Sequence, residues 1–214
     1  MGLKVEAFPG GPLETNAYLV IDDATREALI VDAPMDVTDR LTSAATAAGA
    51  RIALIVITHA HWDHIGDAAE LKAKTGAPVA AHILAVDRLA KPGSAVVDLP
   101  LTITPVTPDR LLNDGDEVRL GSHVFRVLHL PGHDPAHIAL YSEPDRVFLG
   151  GDVLFPNGHG RVDIPGADPA AMNRSLARLV DLPPNVVVYP GHGPPTTIGA
   201  ERWLQQLVGT RGEA

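Results

Sequence analysis

The stretch Thr58–His64, with the sequence THAHWDH, carries three imidazoles and one carboxylate within its last six residues. It directly follows Ile52–Ile57, a continuous apolar run that is typical of a strand buried on both faces. Zinc and similar divalent ions bind histidine nitrogen and aspartate oxygen. Because side chains alternate along an extended chain, we expect His59 and His61 to point the same way, while the carboxylate and the third imidazole turn elsewhere. The stretch therefore predicts two ligands for each of two metal ions.

Three further residues of ligand type each follow a predicted strand and lie beside glycine. His133 lies in the sequence PGH, Asp152 in LGGD and His192 in YPGHG. Glycine lets the backbone turn sharply and lets a metal ion or a substrate approach closely. Any one of the three is weak evidence, but together with the first stretch they predict one complete metal site.

These motifs resemble those of the metallo-β-lactamase superfamily, whose His-x-His-x-Asp-His signature the first stretch matches without a gap. The resemblance covers nearly the whole chain. It implies an α/β fold, an αββα sandwich of two facing mixed β-sheets with outer helices, and a metal site at the sheet edges. The first ion would bind His59, His61 and His133; the second would bind Asp63, His64 and His192; and Asp152 would bridge the two.

The closer resemblance is to the short bacterial subtype of the glyoxalase II group, which lacks a long C-terminal helical domain. The matching stretches are 131–133, 151–155, 160–166 and 189–199. The implied reaction is thioester hydrolysis by a hydroxide that bridges two divalent metal ions. Zinc is the first expectation, and iron or manganese would also suit these ligands. Asp63 would be catalytic, since it would hold the hydroxide and take up a proton.

Other reactions stay open for the same fold. A lactonase or another ester hydrolase would use the same two metal ions. A mononuclear iron persulfide dioxygenase would use only His59, His133 and Asp152. The carboxylate of Asp152 argues against a true β-lactamase, because those enzymes usually lack a bridging carboxylate there.

The positions that bind glutathione in the glyoxalase II group are only partly present. Arg161 matches a basic residue that would bind the substrate, but Asp163 and Pro194 stand where tyrosines are expected. Losing two hydrogen bonds of ~0.5–1.5 kcal/mol each would weaken binding tenfold to a hundredfold. We therefore expect broad cleavage of small acyl thioesters or esters, with little preference for glutathione.

The composition of the 214-residue chain excludes several other classes of protein. A net charge of −9 argues against a nucleic-acid partner, and the absence of cysteine excludes a disulfide scaffold or a thiol nucleophile. No apolar run approaches the ~18 residues that a membrane span needs. The charged beginning of the chain does not read as a signal peptide, which favours a cytoplasmic location. We expect residues 1–214 to form one domain with similar halves at about 1–90 and 110–209.

Local signals predict several helix ends. A helix is expected over residues 36–48, another begins after the N-cap Asp168, and the last runs over residues 197–209. The proline-rich residues 91–108 are expected to be irregular. Asp32 matches an early acidic position of the family and is expected either to orient a ligand or to shape a turn.

Overall fold

The computed structural model describes residues 2–92 and 102–209, which form two six-stranded sheets with helices outside them. The strands are β1 (Leu3–Gly10), β2 (Thr15–Asp22), β3 (Glu27–Val31), β4 (Arg51–Val56), β5 (Val79–His82), β6 (Arg110–Leu112), β7 (Glu117–Leu120), β8 (His123–His129), β9 (Ile138–Ser142), β10 (Val147–Gly151), β11 (Val187–Pro190) and β12 (Thr196–Thr197). The helices are α1 (Thr38–Ala47), α2 (Trp62–Ile65), α3 (Ala68–Thr75), α4 (Val86–Ala90), α5 (Pro169–Leu179) and α6 (Arg202–Gly209).

Both sheets mix parallel and antiparallel pairs, which confirms the predicted fold class. The first sheet has the order β1-β2-β3-β4-β5-β6, antiparallel at first and parallel from β3 onward. The second has the order β12-β11-β10-β9-β8-β7, and β10 and β11 are its parallel pair. Several strands in each sheet thus end at the same edge, which is where ligand-bearing loops begin.

One short strand, β6, belongs by sequence to the second predicted half but joins the sheet that is formed by the first half. β6 lies after residue 109 in sequence but pairs in parallel with β5, with Leu111 opposite Ala81. The three residues of β6 are too few to show a pattern, so the sequence predicted no strand there. Residues 102–109 form no regular element, as expected, while residues 93–101 of the predicted irregular segment lie outside the described residues.

Three apolar layers hold the fold together: one between the first sheet and its helices, one between the two sheets, and one between the second sheet and its helices. β2 shows the reason, because both of its faces are buried. Leu19 packs with residues of α1 and α3, whereas Val20 packs with residues of the second sheet. A third layer places Leu176 of α5 against the outer face of the second sheet. A strand covered on both sides is mostly apolar along its middle, and this produces the runs seen in the sequence.

The ends of two helices depend on aspartate side chains. Asp168 Oδ1 accepts hydrogen bonds from the N–H groups of Ala170 at 2.8 Å and Ala171 at 3.0 Å, which confirms the predicted cap. α1 begins at Thr38, two residues later than predicted. Its first N–H groups are satisfied from another helix, since Asp67 Oδ2 accepts from Val37 at 2.9 Å and from Thr38 at 3.0 Å.

The prediction for the last helix was wrong at its start. Thr196 and Thr197 pair with β11 as an edge strand, and α6 begins only at Arg202. Glu201 accepts the Thr196 hydroxyl at 2.5 Å and holds the corner between strand and helix. Within the described ranges, none of the helices is both long and apolar enough to cross a membrane.

Candidate metal centre

The seven predicted metal ligands lie together, each of them just beyond the carboxyl end of a strand. Their ligand atoms form groups of three in which all atoms lie within 4.8 Å of one another. The first and the last of these groups contain the residues assigned to the first and second ions, and the middle one joins them. That these residues bind metal stays a prediction. The three groups are His59–His61–His133, His59–His64–Asp152 and Asp63–His64–His192.

The stretch Thr58–His64 is extended only as far as His61, where φ and ψ are −72° and 146°. The rings of His59 and His61 lie 4.6 Å apart, as the extended part predicts. At Trp62 the chain enters the short helix α2, which the sequence did not predict. This helix directs the carboxylate and the third imidazole of the stretch toward the other group.

The hydrogen bonds of the histidines determine which ring nitrogen faces the cluster. The Thr58 hydroxyl donates to Asp32 Oδ2 at 2.8 Å, so its oxygen accepts from His59 Nδ1 at 3.0 Å. His64 Nδ1 donates to Asp32 Oδ2 at 2.8 Å, because a carboxylate only accepts. When either ring is neutral, its Nε2 therefore carries the lone pair.

Backbone carbonyls orient two further imidazoles in the same way. His133 Nδ1 donates to the carbonyl oxygen of Arg161 at 2.8 Å, and His192 Nδ1 donates to that of Leu13 at 3.2 Å. Carbonyl oxygens only accept, so Nε2 of each neutral ring again presents a lone pair. Nitrogen lone pairs that converge on one region repel one another unless a cation lies among them.

Buried atoms of the cluster lack the partners that buried polar atoms need. In the part of the chain that the structure describes, His59 Nε2, His64 Nε2 and Asp152 Oδ1 accept no hydrogen bond and donate none. An unpaired buried polar group costs about 1–3 kcal/mol. Imidazole nitrogen and carboxylate oxygen are ligands that suit zinc, iron and manganese. The residues present therefore fit divalent metal ions.

Two buried carboxylates make the second group electronegative. Burial raises the pKa of Asp63 and Asp152, but the charge of His64 and hydrogen bonds from His192 outweigh it and lower both values overall. Burial lowers the pKa of His64 and His192, yet the carboxylates raise them, that of His192 to about 9. The carboxylates thus stay ionised and attract positive charge, either protons or a metal ion.

Two imidazoles of the first group, those of His59 and His61, are neutral. Burial, followed by the charges of neighbouring imidazoles, lowers the pKa of His59 well below its ordinary value and that of His61 to about 4. A neutral imidazole keeps its lone pair, which is the form that binds a metal ion.

Asp32 occupies a strained position behind the cluster. Its φ is 61°, a left-handed conformation that costs of order 1–3 kcal/mol in a residue other than glycine. Its carboxylate accepts from Thr58 N at 2.7 Å, from the Thr58 hydroxyl and from His64 Nδ1, so these hydrogen bonds offset the strain. The contact shows that Asp32 orients His64, and its positive φ shows that it also shapes the turn after β3. That His64 is a metal ligand stays a prediction.

Gly191 shows why glycine precedes the last histidine of the cluster. A Cβ atom there would lie 2.1 Å from Asp152 Oδ1 and 2.8 Å from His64 Cε1. No side chain fits at these distances, so only glycine lets the loop of His192 approach the buried carboxylate.

The beginning of β2 supports the cluster, and the sequence did not predict this role. The Thr15 hydroxyl donates to Asp63 Oδ2 at 2.8 Å. Asn16 Nδ2 donates to the carbonyl oxygens of Pro190 at 3.0 Å and Gly193 at 2.9 Å, which ties down the loop of His192. The available signal was a pair of polar residues opening a strand whose other residues are almost all apolar.

Histidines outside the signature have supporting or separate positions. His137 Nε2 accepts the backbone N–H of Asp152 at 2.9 Å, and burial lowers the pKa of His137 to about 3. His129 stacks on His82 with ring centroids 4.1 Å apart, away from the ligand groups.

The side chain of Arg161 makes no recorded contact with the ligand groups and binds Asp163 instead. Its guanidinium donates to both oxygens of Asp163, at 2.9 and 3.0 Å, and both side chains are about 70% exposed. Only its backbone carbonyl touches the site, through His133. Asp163, which stands in place of an expected tyrosine, therefore partly neutralises the basic residue.

Two facing mixed sheets with a histidine–aspartate cluster at their strand ends define the class of protein, a metal-binding αββα sandwich. The chain belongs to the metallo-beta-lactamase superfamily, whose family profile matches residues 10–192. This confirms the resemblance that the signature residues indicated.

One curated relative and two solved structures are similar to this chain over nearly their whole length. Hydroxyacylglutathione hydrolase GloC of Haemophilus influenzae is 32% identical over 206 residues, covering 94% of this chain and 95% of GloC. The B3 metallo-beta-lactamase BLEG-1 superposes with a TM-score of 0.85 at 33% identity, and TTHA1623 in a di-iron-bound form with 0.81 at 39% identity. Each of these two alignments covers 92% of this chain and 96% of the other.

Proposed function

We propose that this protein is a dinuclear metal-dependent hydrolase that cleaves small-molecule acyl thioesters in the cytoplasm. The observation that carries the proposal is the pair of ligand groups joined through His59, His64 and Asp152. When bound, two divalent ions supply Lewis acidity and a water molecule of lowered pKa. Thioester hydrolysis is favoured because the similarity to the hydroxyacylglutathione hydrolase GloC extends over nearly the whole of both chains.

The protein's own residues would orient the reaction and handle its proton. Asp63 stays ionised, and its Oδ2 accepts the Thr15 hydroxyl at 2.8 Å and lies 3.2 Å from His192 Nε2. This carboxylate is fixed in position and able to accept a proton from the attacking water. No other nucleophile is required, which agrees with the absence of cysteine.

Zinc is the proposed metal, and the ligand set would also accept iron or manganese. The di-iron form of TTHA1623 shows that a relative of 39% identity holds iron. The proposal therefore specifies two ions per chain, with iron and manganese as alternatives to zinc.

The surface around the site favours a broad substrate range. Arg161, the residue proposed to meet an anionic group of the substrate, is already paired with Asp163. An exposed ion pair adds little affinity, since its partners exchange readily with water. We infer that the enzyme recognises the thioester group itself more than a glutathione moiety attached to it.

A comparison of substrates tests this function. The metal-loaded protein is expected to cleave S-D-lactoylglutathione and a simple acyl thioester with kcat/KM values within about tenfold of each other, as the loss of one or two hydrogen bonds implies. Arg161→Ala is expected to raise the KM for lactoylglutathione less than about fivefold and to leave kcat nearly unchanged. Release of free thiol measures both reactions.

The same assays separate the alternatives. A lactone as the best substrate would indicate a lactonase, and oxygen consumption with a persulfide would indicate the iron dioxygenase. A β-lactam belongs among the substrates because BLEG-1 is a B3 metallo-beta-lactamase. Faster cleavage of a lactone or a β-lactam than of every thioester would contradict the proposal, and a low micromolar KM confined to lactoylglutathione would contradict the broad range.

A further inference from the structure

Asp134, which the sequence did not single out, is buried directly behind the first ligand group. Its side chain is 0% exposed, and it follows the ligand His133 in the chain. Its Oδ2 lies 3.5 Å from Nε2 of His61. A buried carboxylate is costly unless it is paired, so its presence at this place calls for a physical reason.

Arg88 of α4 holds the Asp134 carboxylate with both ends of its guanidinium fork. Arg88 Nη2 donates to Oδ1 at 2.5 Å, and Nη1 donates to Oδ2. Oδ1 also accepts the N–H group of Ala136 at 2.7 Å. Pairing with both ends of the arginine fork keeps the carboxylate ionised and holds it in one orientation.

His61 is the cluster imidazole that presents the opposite ring nitrogen to its neighbours. Its Nδ1 lies 2.9 Å from His133 Nε2, so Nε2 is the nitrogen turned outward, toward Asp134. The outward nitrogens of His59, His64, His133 and His192 each have a hydroxyl, carboxylate or carbonyl acceptor. At His61 the nearest carboxylate is that of Asp134, but 3.5 Å is too long for an ordinary hydrogen bond. Because the Nδ1 of His133 is the donor to Arg161, its Nε2 accepts a hydrogen bond from His61 Nδ1 in the metal-free protein.

We propose that Asp134, held by Arg88, is a positioning residue that draws the proton of His61 toward Nε2, leaves the lone pair on Nδ1 for a metal ion, and so strengthens metal binding by the His59–His61–His133 group. A carboxylate behind a histidine ligand fixes its tautomer and makes it more basic. The alternative is that the Arg88–Asp134 pair only fastens α4 to the loop after β8. That alternative predicts an effect on stability but none on the tautomer or on metal affinity.

The first test needs no metal ion. Nitrogen-15 NMR of the metal-free protein at pH 8 reports which ring nitrogen of His61 is protonated. His133 favours a proton on His61 Nδ1, whereas Asp134 favours one on Nε2. Asp134→Asn is therefore expected to lower the fraction of His61 that is protonated on Nε2. An unchanged tautomer in a folded Asp134→Asn protein would overturn the proposal.

The second test measures zinc affinity by competition with a chelator. Because partners of this kind typically contribute 10–100-fold, Asp134→Asn and Arg88→Gln are each expected to weaken the binding of one zinc ion by about that factor and to leave the other unchanged. Arg178→Gln is the matched control, since it removes the same charge from an exposed ion pair with Asp114. If Asp134→Asn fails to fold, Arg88→Gln decides the question.

This inference rests on the proposed metal centre, and the two can fail separately. A wild-type protein that binds two zinc ions, together with variants that bind them equally tightly, would overturn the role of Asp134 alone. A wild-type protein that binds no metal would overturn both.

Discussion

Asp63→Ala is expected to lower turnover by at least ~100-fold while leaving the protein folded. The carboxylate is 8% exposed and lies in the second ligand group with His64 and His192. Its removal deletes one ligand and the proposed proton acceptor, together with the hydrogen bond from Thr15 and the ion pairs with His64 and His192. None of these contacts belongs to the apolar layers between the sheets and helices, so the fold is expected to persist. Thiol release measures the turnover, and circular dichroism with thermal unfolding verifies the fold.

His82→Ala serves as the control for this variant. His82 also belongs to a histidine pair, because its ring stacks on His129, yet it lies outside the ligand groups. We expect it to retain turnover within about twofold, the usual range for a substitution that does not touch the reacting groups. Near-normal activity of Asp63→Ala at saturating metal would show that the proposed role of Asp63 is wrong.

Metal affinity is expected to fall steeply as the pH drops from 9 to 6. The carboxylates of the second group raise the pKa of His64 well above its ordinary value and that of His192 to about 9, so both rings are protonated at pH 7 in the metal-free protein. Each must release its proton before it can bind a metal ion. Two released protons set a limit of ~100-fold in affinity per pH unit.

Calorimetric titration of zinc in two buffers of different protonation enthalpy counts these protons.

The raised pKa values of His64 and His192 have the opposite effect on the stability of the metal-free protein, which they increase at low pH. The protonated pairs stabilise it fully below the ordinary histidine value of 6.5, and this contribution is lost as the pH rises through about 9. Zinc affinity that is constant between pH 6 and 9 would contradict the assignment of His64 and His192 as ligands.

The sequence predicted most of the fold because burial on both faces leaves a plain signal. β2 is largely apolar from Ala17 to Ile21, β10 is apolar from Val147 to Leu149, and the cap at Asp168 has a well-defined local chemistry. The short elements β6 and β12 have no such signal. They exist because a neighbouring strand offers unpaired backbone groups, and this is visible only in three dimensions.

The sequence predicted those ligands of the candidate site that lie close together in the chain or stand beside a glycine. The turn into α2 was not, because four residues are too few for a helical pattern. Thr15, Arg88 and Asp134 lie 48, 27 and 73 residues from the cluster residues they support, Asp63, His61 and His61. A lone threonine, arginine or aspartate gives no sign of such a contact, so only the folded chain reveals these roles.

The number of metal ions per chain tests the central claim most directly. Plasma mass spectrometry of the protein, saturated with zinc and freed of excess ion, measures metal against protein concentration. Two ligand groups, joined through the third group His59–His64–Asp152, predict two ions per chain, and about one in Asp63→Ala. A wild-type protein that reaches full thioesterase activity with a single bound ion would contradict the dinuclear site.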